Sequence, residues 1–415
     1  MSNAAINFTL HEHSNAARRG CLRFLQKNKA IQTPACLTYT IRGSVPHLIP
    51  DNLTDQPIQA IQVSLEHFVE QKEPASFKYP HGLHKYLNLP DYLLFCDIRD
   101  PSKLAPVSSN TEKYVAVDTH GGVRRVTTDV WKQAMEAYKP DFCASMADSI
   151  KAEEDVKNKR IKKSVDRTLR WLDECLAKAK ELNIPLFAPV VGFHNKEERI
   201  RSASQAAERD VDGFILNAFE LSKNDATEHI KTSLEHLPKN KPIVAYGFSS
   251  PERILEGIAL GIDLFDGSYA YKTTELGRAI IMKFGNDVNM KSHEKADKTI
   301  NLWDPKMAHS FEPIDPNCGC YTCSTPHSKA YIHHLLNAHE MLGPLLLMSH
   351  NNYQLEKFME SARKSIESNN FQQDRDAFME RYKHEREVNG SVGHEDEIDF
   401  ESLGTPVKKK RTIVL

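Results

Sequence analysis

The stretch SVDRTLRWLDECLAKAK, residues 164–180, and the run PLFAPVV, residues 185–191, together decide the fold of this chain. In the first, Val165, Leu169, Leu172 and Leu176 recur on one face, which predicts a helix over Ser164–Lys180. The second is short and β-rich and predicts a strand over Pro185–Val191. Working outward, Asp141–Met146, Gly213–Leu216, Pro242–Tyr246 and Ile262–Phe265 read as further strands, with helical stretches such as Glu198–Glu208 and Pro251–Leu260 between them. Such alternation implies parallel strands joined by right-handed crossovers, hence a doubly wound sheet or a closed barrel. No glycine-rich phosphate fingerprint follows the first strands, so the α/β pattern is read as a (β/α)8 TIM-type barrel.

A barrel of this kind takes about 250 residues, and the chain has 415. The remainder divides by composition. Residues 1–309 read as the main part of the barrel, 310–388 as a metal-binding subdomain with closing helices, and 389–415 as a disordered polar tail ending in Lys408, Lys409, Lys410 and Arg411. With 40% apolar residues, 27% charged residues and a net charge of −2, the chain has a globular composition and no overall positive field. Any nucleic-acid site must therefore be a local basic patch. One such patch, Lys157, Lys159, Arg160, Lys162 and Lys163, precedes the helix over Ser164–Lys180; a solvated face is its plainer reading and contact with RNA phosphates its functional one.

Met1–Gly20 carries Glu12, Arg18 and Arg19 and no apolar segment, so no secretory signal is expected. Met341–Met348 is broken by Gly343 and Pro344, well short of the roughly 18 residues of a membrane span. A cytoplasmic protein is expected, and its eight cysteines point to reduced thiols or a metal.

Cys318, Cys320 and Cys323 fall within six residues, in a polar, turn-like run where Gly319 permits a tight turn. Three thiolates and one imidazole make a tetrahedral Cys3His zinc site, closed to water and therefore structural. His327, His333, His334, His339 and His350 are all downstream; closure over the following helix favours His350 as the fourth ligand of a single Zn2+.

That run, followed by Lys329-Ala330-Tyr331-Ile332-His333-His334-Leu335, Glu340-Met341-Leu342 and His350-Asn351, resembles the zinc segment of tRNA-guanine transglycosylases. The resemblance extends over residues 15–365, through Thr33-Pro34, His81-Gly82-Leu83-His84, Arg167-Thr168-Leu169-Arg170-Trp171-Leu172 and Gly261-Ile262-Asp263-Leu264-Phe265-Asp266. It implies a barrel that replaces guanine in a tRNA anticodon by a deazaguanine base, queuine in eukaryotes. Such an exchange needs a carboxylate nucleophile and a second carboxyl group to move protons. By position in the family's motifs, Asp266 matches the nucleophile, Asp97 the general acid/base and Asp148 a carboxylate that reads the base's edge.

The surroundings of these three aspartates depart from the family pattern. Catalytic members follow the first aspartate with Ser-Gly-Gly-Phe-Gln, whereas this chain has Asp97-Ile98-Arg99-Asp100-Pro101. The base-reading glutamine falls at Val191, the paired glycines of the next strand become Asn217-Ala218-Phe219, and the Cys-Val-x-Pro-Thr-Arg segment becomes Gly267-Ser268-Tyr269-Ala270-Tyr271-Lys272. A further arginine position carries Glu275, which turns a phosphate attraction into a repulsion. The pattern is similar to accessory subunits that form heterodimers with a catalytic homologue, and it implies that Asp97, Asp148 and Asp266 are vestigial. Two other readings remain open at this point: an active homodimer using Asp266 as nucleophile, and an RNA-binding scaffold without base exchange.

Overall fold

The computed structural model describes residues 5–14, 16–71, 73–103, 110–119, 121–150, 156–218, 226–285 and 296–383. The expected tail and Phe219 lie outside them. Eight parallel strands carry the architecture: β1 (Ala35–Leu37), β2 (Ala60–Ser64), β3 (Leu93–Asp97), β4 (Phe142–Ala144), β5 (Leu186–Val190), β6 (Gly213–Asn217), β7 (Ile243–Tyr246) and β8 (Leu264–Asp266). They pair in chain order from β2 to β8, and β8 pairs with β1. The ring is closed just past β1. Thr38 bridges in parallel to Ile61 of β2, donating its N–H to Ala60 and accepting from Gln62, both at 2.9 Å.

Alternate residues face the lumen, as a two-residue period requires. Phe95, Phe142 and Phe187 pack there with ring centroids 4.6 and 5.5 Å apart between successive rings. The floor comes from an antiparallel sheet of Ile6–Ser14, Ala17–Phe24 and Lys29–Thr33, which the sequence reading did not assign. It places Ile6, Leu22, Phe24 and Ile31 in the lumen core, with Phe24 5.1 Å from Phe142.

Helices α1 (Thr128–Tyr138), α2 (Asn158–Leu182), α3 (Lys196–Ala207), α4 (Ala226–Leu234), α5 (Pro251–Ala259) and α6 (Ser268–Glu275) lie along the chain between and after the later strands. The α2 helix contains the predicted stretch but begins six residues earlier, at Asn158 rather than Ser164. Ile161, one turn before Val165, is buried and extends the apolar face, so Lys159, Arg160, Lys162 and Lys163 lie within the helix and not before it.

A second lobe contains α7 (Lys329–Asn337) and the start of α8 (Leu342–Glu367), followed by α9 (Phe371–Arg381). Its core reaches back to Ala279 and Leu302, joining Cys318, Cys320, Cys323, Ile332 and Leu346. The α8 helix serves both bodies. Leu346 and Leu347 pack in the lobe, while Leu355, Met359 and Ala362 pack in the barrel core.

Because α8 runs against β1, its polar residues are trapped. Glu356 is buried, and burial pushes its carboxyl up to about 8 against the pull of Arg363, with Cys36 of β1 nearby. The folded chain therefore holds a proton that the unfolded chain releases near its ordinary value, and stability falls as pH rises towards 8. Glu356→Gln is expected to melt higher than the parent at pH 9, by on the order of a few kcal/mol in stability, and close to it at pH 5. Thermal melts at the two pH values measure this; equal differences at both would contradict it.

Candidate functional site

Two places gather the chemistry-bearing residues. In the lobe, Cys318, Cys320, Cys323 and His350 are all buried, and one ligand atom from each lies within 4.8 Å of every other. Two backbone N–H groups point at sulfur: that of Cys320 at the Cys318 Sγ, 3.5 Å away, and that of Cys323 at the Cys320 Sγ, 3.4 Å away. His350 rides on α8, and its Nε2 lies 2.8 Å from the Ile280 carbonyl. A carbonyl only accepts, so Nε2 carries the proton and Nδ1 keeps its lone pair. That lone pair faces the three sulfurs at 3.8, 3.5 and 3.4 Å.

A tetrahedron around an ion with metal–sulfur bonds of about 2.3 Å has edges of roughly 3.5–3.8 Å, so these residues fit one four-coordinate ion. The adjacent Asn351 fixes the same strand. Its Oδ1 accepts from Ile280 N at 2.8 Å, and its Nδ2 donates to the Arg278 carbonyl at 2.9 Å. A Cβ at Gly319 would stand 2.9 Å from the Tyr353 hydroxyl, the tip of a side chain that would have to shift. Of the other imidazoles, Nδ1 of His327 faces the Thr322 carbonyl and that of His333 the Leu302 carbonyl.

The second place is the C-terminal end of the barrel. Asp97 and Asp266 are the last residues of β3 and β8, and Asp148 lies four residues beyond β4. Each is engaged by its own chain. Asp97 accepts from the Tyr246 hydroxyl at 2.6 Å and from Ile98 N at 2.6 Å, while burial pushes its carboxyl up. The Tyr246 hydroxyl in turn accepts from Gln62 across the lumen at 3.0 Å.

Asp148 is 0% exposed. Arg160 grips it with two hydrogen bonds of 2.7 Å, Arg167 with one of 3.0 Å and Asn110 with one of 2.9 Å. Asp266 is also 0% exposed. One of its oxygens accepts from the Ser268 hydroxyl and backbone, and the other has no partner among the described residues. Burial raises its carboxyl, opposed by Lys272.

The residues that depart from the family pattern fill the rest of the mouth. Asp100 turns inward and accepts from the Tyr39 hydroxyl at 2.9 Å, with His67 Nε2 3.1 Å away. Tyr39 stacks on Tyr271 at 5.1 Å. Val191 and Ala218 are buried, and Glu275 pairs with His47 at 2.7 Å. Sequence reasoning missed Asn110 and Tyr246 as partners of the aspartates. Arg167 stood in a quoted motif without a role, and Arg160 was placed with the outward lysines. Nothing in spacing distinguishes an arginine that turns in from one that does not.

A family model described as queuine tRNA-ribosyltransferase matches residues 13–384. A protein from Xenopus tropicalis named queuine tRNA-ribosyltransferase accessory subunit 2 is 33% identical over 398 residues, covering 87% of this chain and 96% of its own length. Proteins of the same name from Homo sapiens and Aedes aegypti are 31% and 30% identical; they cover 86% and 83% of this chain and 95% and 85% of their own lengths.

The lobe geometry predicts one tightly held transition-metal ion per chain. Elemental analysis should find about one equivalent, lost in the Cys320→Ser/Cys323→Ser double variant because two of four ligands are removed. Less than about half an equivalent in the parent, or full retention in the double variant, would sink the assignment.

Proposed function

This chain belongs to the queuine tRNA-ribosyltransferase family, and we propose that it is the non-catalytic accessory subunit of a heteromeric enzyme that exchanges guanine for queuine at the wobble position of tRNA anticodons. One observation carries the reading: the carboxylate aligned with the nucleophile, Asp266, is buried, with one oxygen taken by the Ser268 hydroxyl and backbone N–H. A ribose carbon has to reach a nucleophile, and positioning supplies much of an enzyme's rate. The names of the relatives accord with it. So does Asp148, both of whose oxygens are taken by Arg160, Arg167 and Asn110.

The lobe's ion is zinc on this reading, because three thiolates and an imidazole with no open position suit that metal and a structural role. Zinc ties α8 to the turn at Cys318–Cys323 and does no chemistry on substrate. The partner is a catalytic homologue, and tRNA is engaged through the pair. No helix among the described residues is long and apolar enough to cross a membrane.

Support for the docking face comes from the lobe's surface. Met341 is 88% and Phe311 77% exposed, with Trp303, Tyr321, Tyr331 and Leu342 also in solvent. His327 links Tyr321 and Tyr331 into a ladder, with centroids 5.7 and 6.0 Å apart. Apolar and aromatic surface of this kind favours a partner. Mixed with a catalytic homologue at micromolar concentration, the chain should co-elute on size exclusion, and Phe311→Glu/Tyr331→Glu should elute apart from it. Independent elution of the parent would remove the basis of the reading.

Asp266→Asn keeps shape and removes the charge a nucleophile needs. In the reconstituted complex it should leave queuine exchange within about threefold, a barrier change below about 0.7 kcal/mol. A hundredfold loss, with metal content and complex intact, would mean that this chain performs the chemistry.

A further inference from the structure

The four hydrogen bonds on Asp148 are not equivalent. Oδ1 accepts from Arg160 and Asn110, and Oδ2 from Arg160 and Arg167, so both oxygens are fully used. Arg160 alone spans the two oxygens, with equal bonds of 2.7 Å, as a planar fork of two N–H donors on one N–C–N unit. Its side chain is 29% exposed, whereas that of Arg167 is 11% exposed and Asn110 is buried. Arg160 is thus the one partner that an incoming ligand could displace from solvent.

Charge balance singles out the same residue. Arg167 also pairs with Glu112 at 2.6 Å, and Arg170 pairs with Glu112 at 3.2 Å. Among the described residues, Arg167 therefore serves both Asp148 and Glu112, Arg170 adds a second cation on Glu112, and Arg160 is a further cation on Asp148. A neutral ligand in its place would leave the buried carboxylate paired, so the site does not need this arginine for neutrality. Of the basic run at the start of α2, Lys157, Lys159, Lys162 and Lys163 are exposed, and Arg160 turns inward.

We propose that Arg160 is an internal mimic of a base edge: its guanidinium holds the place on Asp148 where a neutral ligand with a guanidine-type two-donor edge would bind, and it keeps such a base out of this barrel. A 2-amino-4-oxopyrimidine edge, as in guanine, offers the same N–C–N pair of donors. The choice of a purine-like base rests on the function proposed above; the displaceable fork rests on geometry alone. Arg160 is then a specificity-determining residue that leaves base binding to the partner subunit.

The test uses the full chain, alone. Equilibrium dialysis with radiolabelled guanine should show at least about tenfold tighter binding to Arg160→Ala than to the parent, the scale of a charge-assisted pair gained. Binding should be lost again in Arg160→Ala/Asp148→Asn. Methylguanidinium should bind Arg160→Ala and compete with guanine, since it restores the missing fork. Arg160→Gln, which keeps part of the side chain and one donor, serves if the alanine variant melts early, with the same gain expected in smaller measure. Methylguanidinium binding without guanine binding would overturn the base-edge assignment, as would guanine binding indifferent to Asp148→Asn, or binding of neither probe by a folded variant. None of these outcomes alters co-elution with the partner, on which the proposed function is separately judged.

Discussion

A carboxylate taken out of water must find hydrogen-bond donors or give up its charge, and a closed barrel forces that choice at both ends. Eight strands ending together leave little solvent at the centre. At the floor the choice is resolved by repetition. Asp141, Asp212 and Asp263 each lie just before an even-numbered strand and accept the N–H of a residue in the preceding odd-numbered one: Leu94, Leu186 and Ile243, at 2.8, 2.9 and 2.8 Å. Arg18 of the floor sheet adds an ion pair to Asp263, which locks the antiparallel sheet beneath the lumen. At the mouth, Asp97 turns to Tyr246 and Asp148 to Arg160, Arg167 and Asn110, whereas Asp266 accepts from Ser268 on one oxygen only.

The lobe and barrel share one element, and that sharing defines what an ion held by Cys318, Cys320, Cys323 and His350 would do for the fold. The first turns of α8 carry Leu346 and His350 into the lobe, and its later turns carry Leu355 and Met359 into the barrel. An ion gripping His350 therefore fixes the register of a helix on which both cores depend. The Ile280 carbonyl and Asn351 add a second tie to the strand Arg278–Ile280.

Much of this was legible in the sequence because it rests on local pattern. The period of Val165, Leu169, Leu172 and Leu176 marks a helix wherever it occurs. Three cysteines within six residues converge on one point for reasons of chain reach alone, and His350 follows at the far side of the intervening helix. The floor sheet was not read, since its strands pair with one another beneath a lumen that only the closed ring creates. Arg160 reads as one more member of a basic run because the inward turn of a single arginine among lysines depends on Asp148, twelve residues earlier in the sequence. The inward turn of Asp100 likewise depends on Tyr39 and His67, from other strand ends.

On the function we propose, this barrel keeps the carboxylates of a base-exchanging enzyme without their reach to a substrate. Incorporation of labelled guanine into tRNA by the purified chain alone tests it most directly. No incorporation above background is predicted from the lone chain, with incorporation appearing when the catalytic homologue is added. Sustained turnover by the lone chain, abolished by Asp266→Asn, would contradict it.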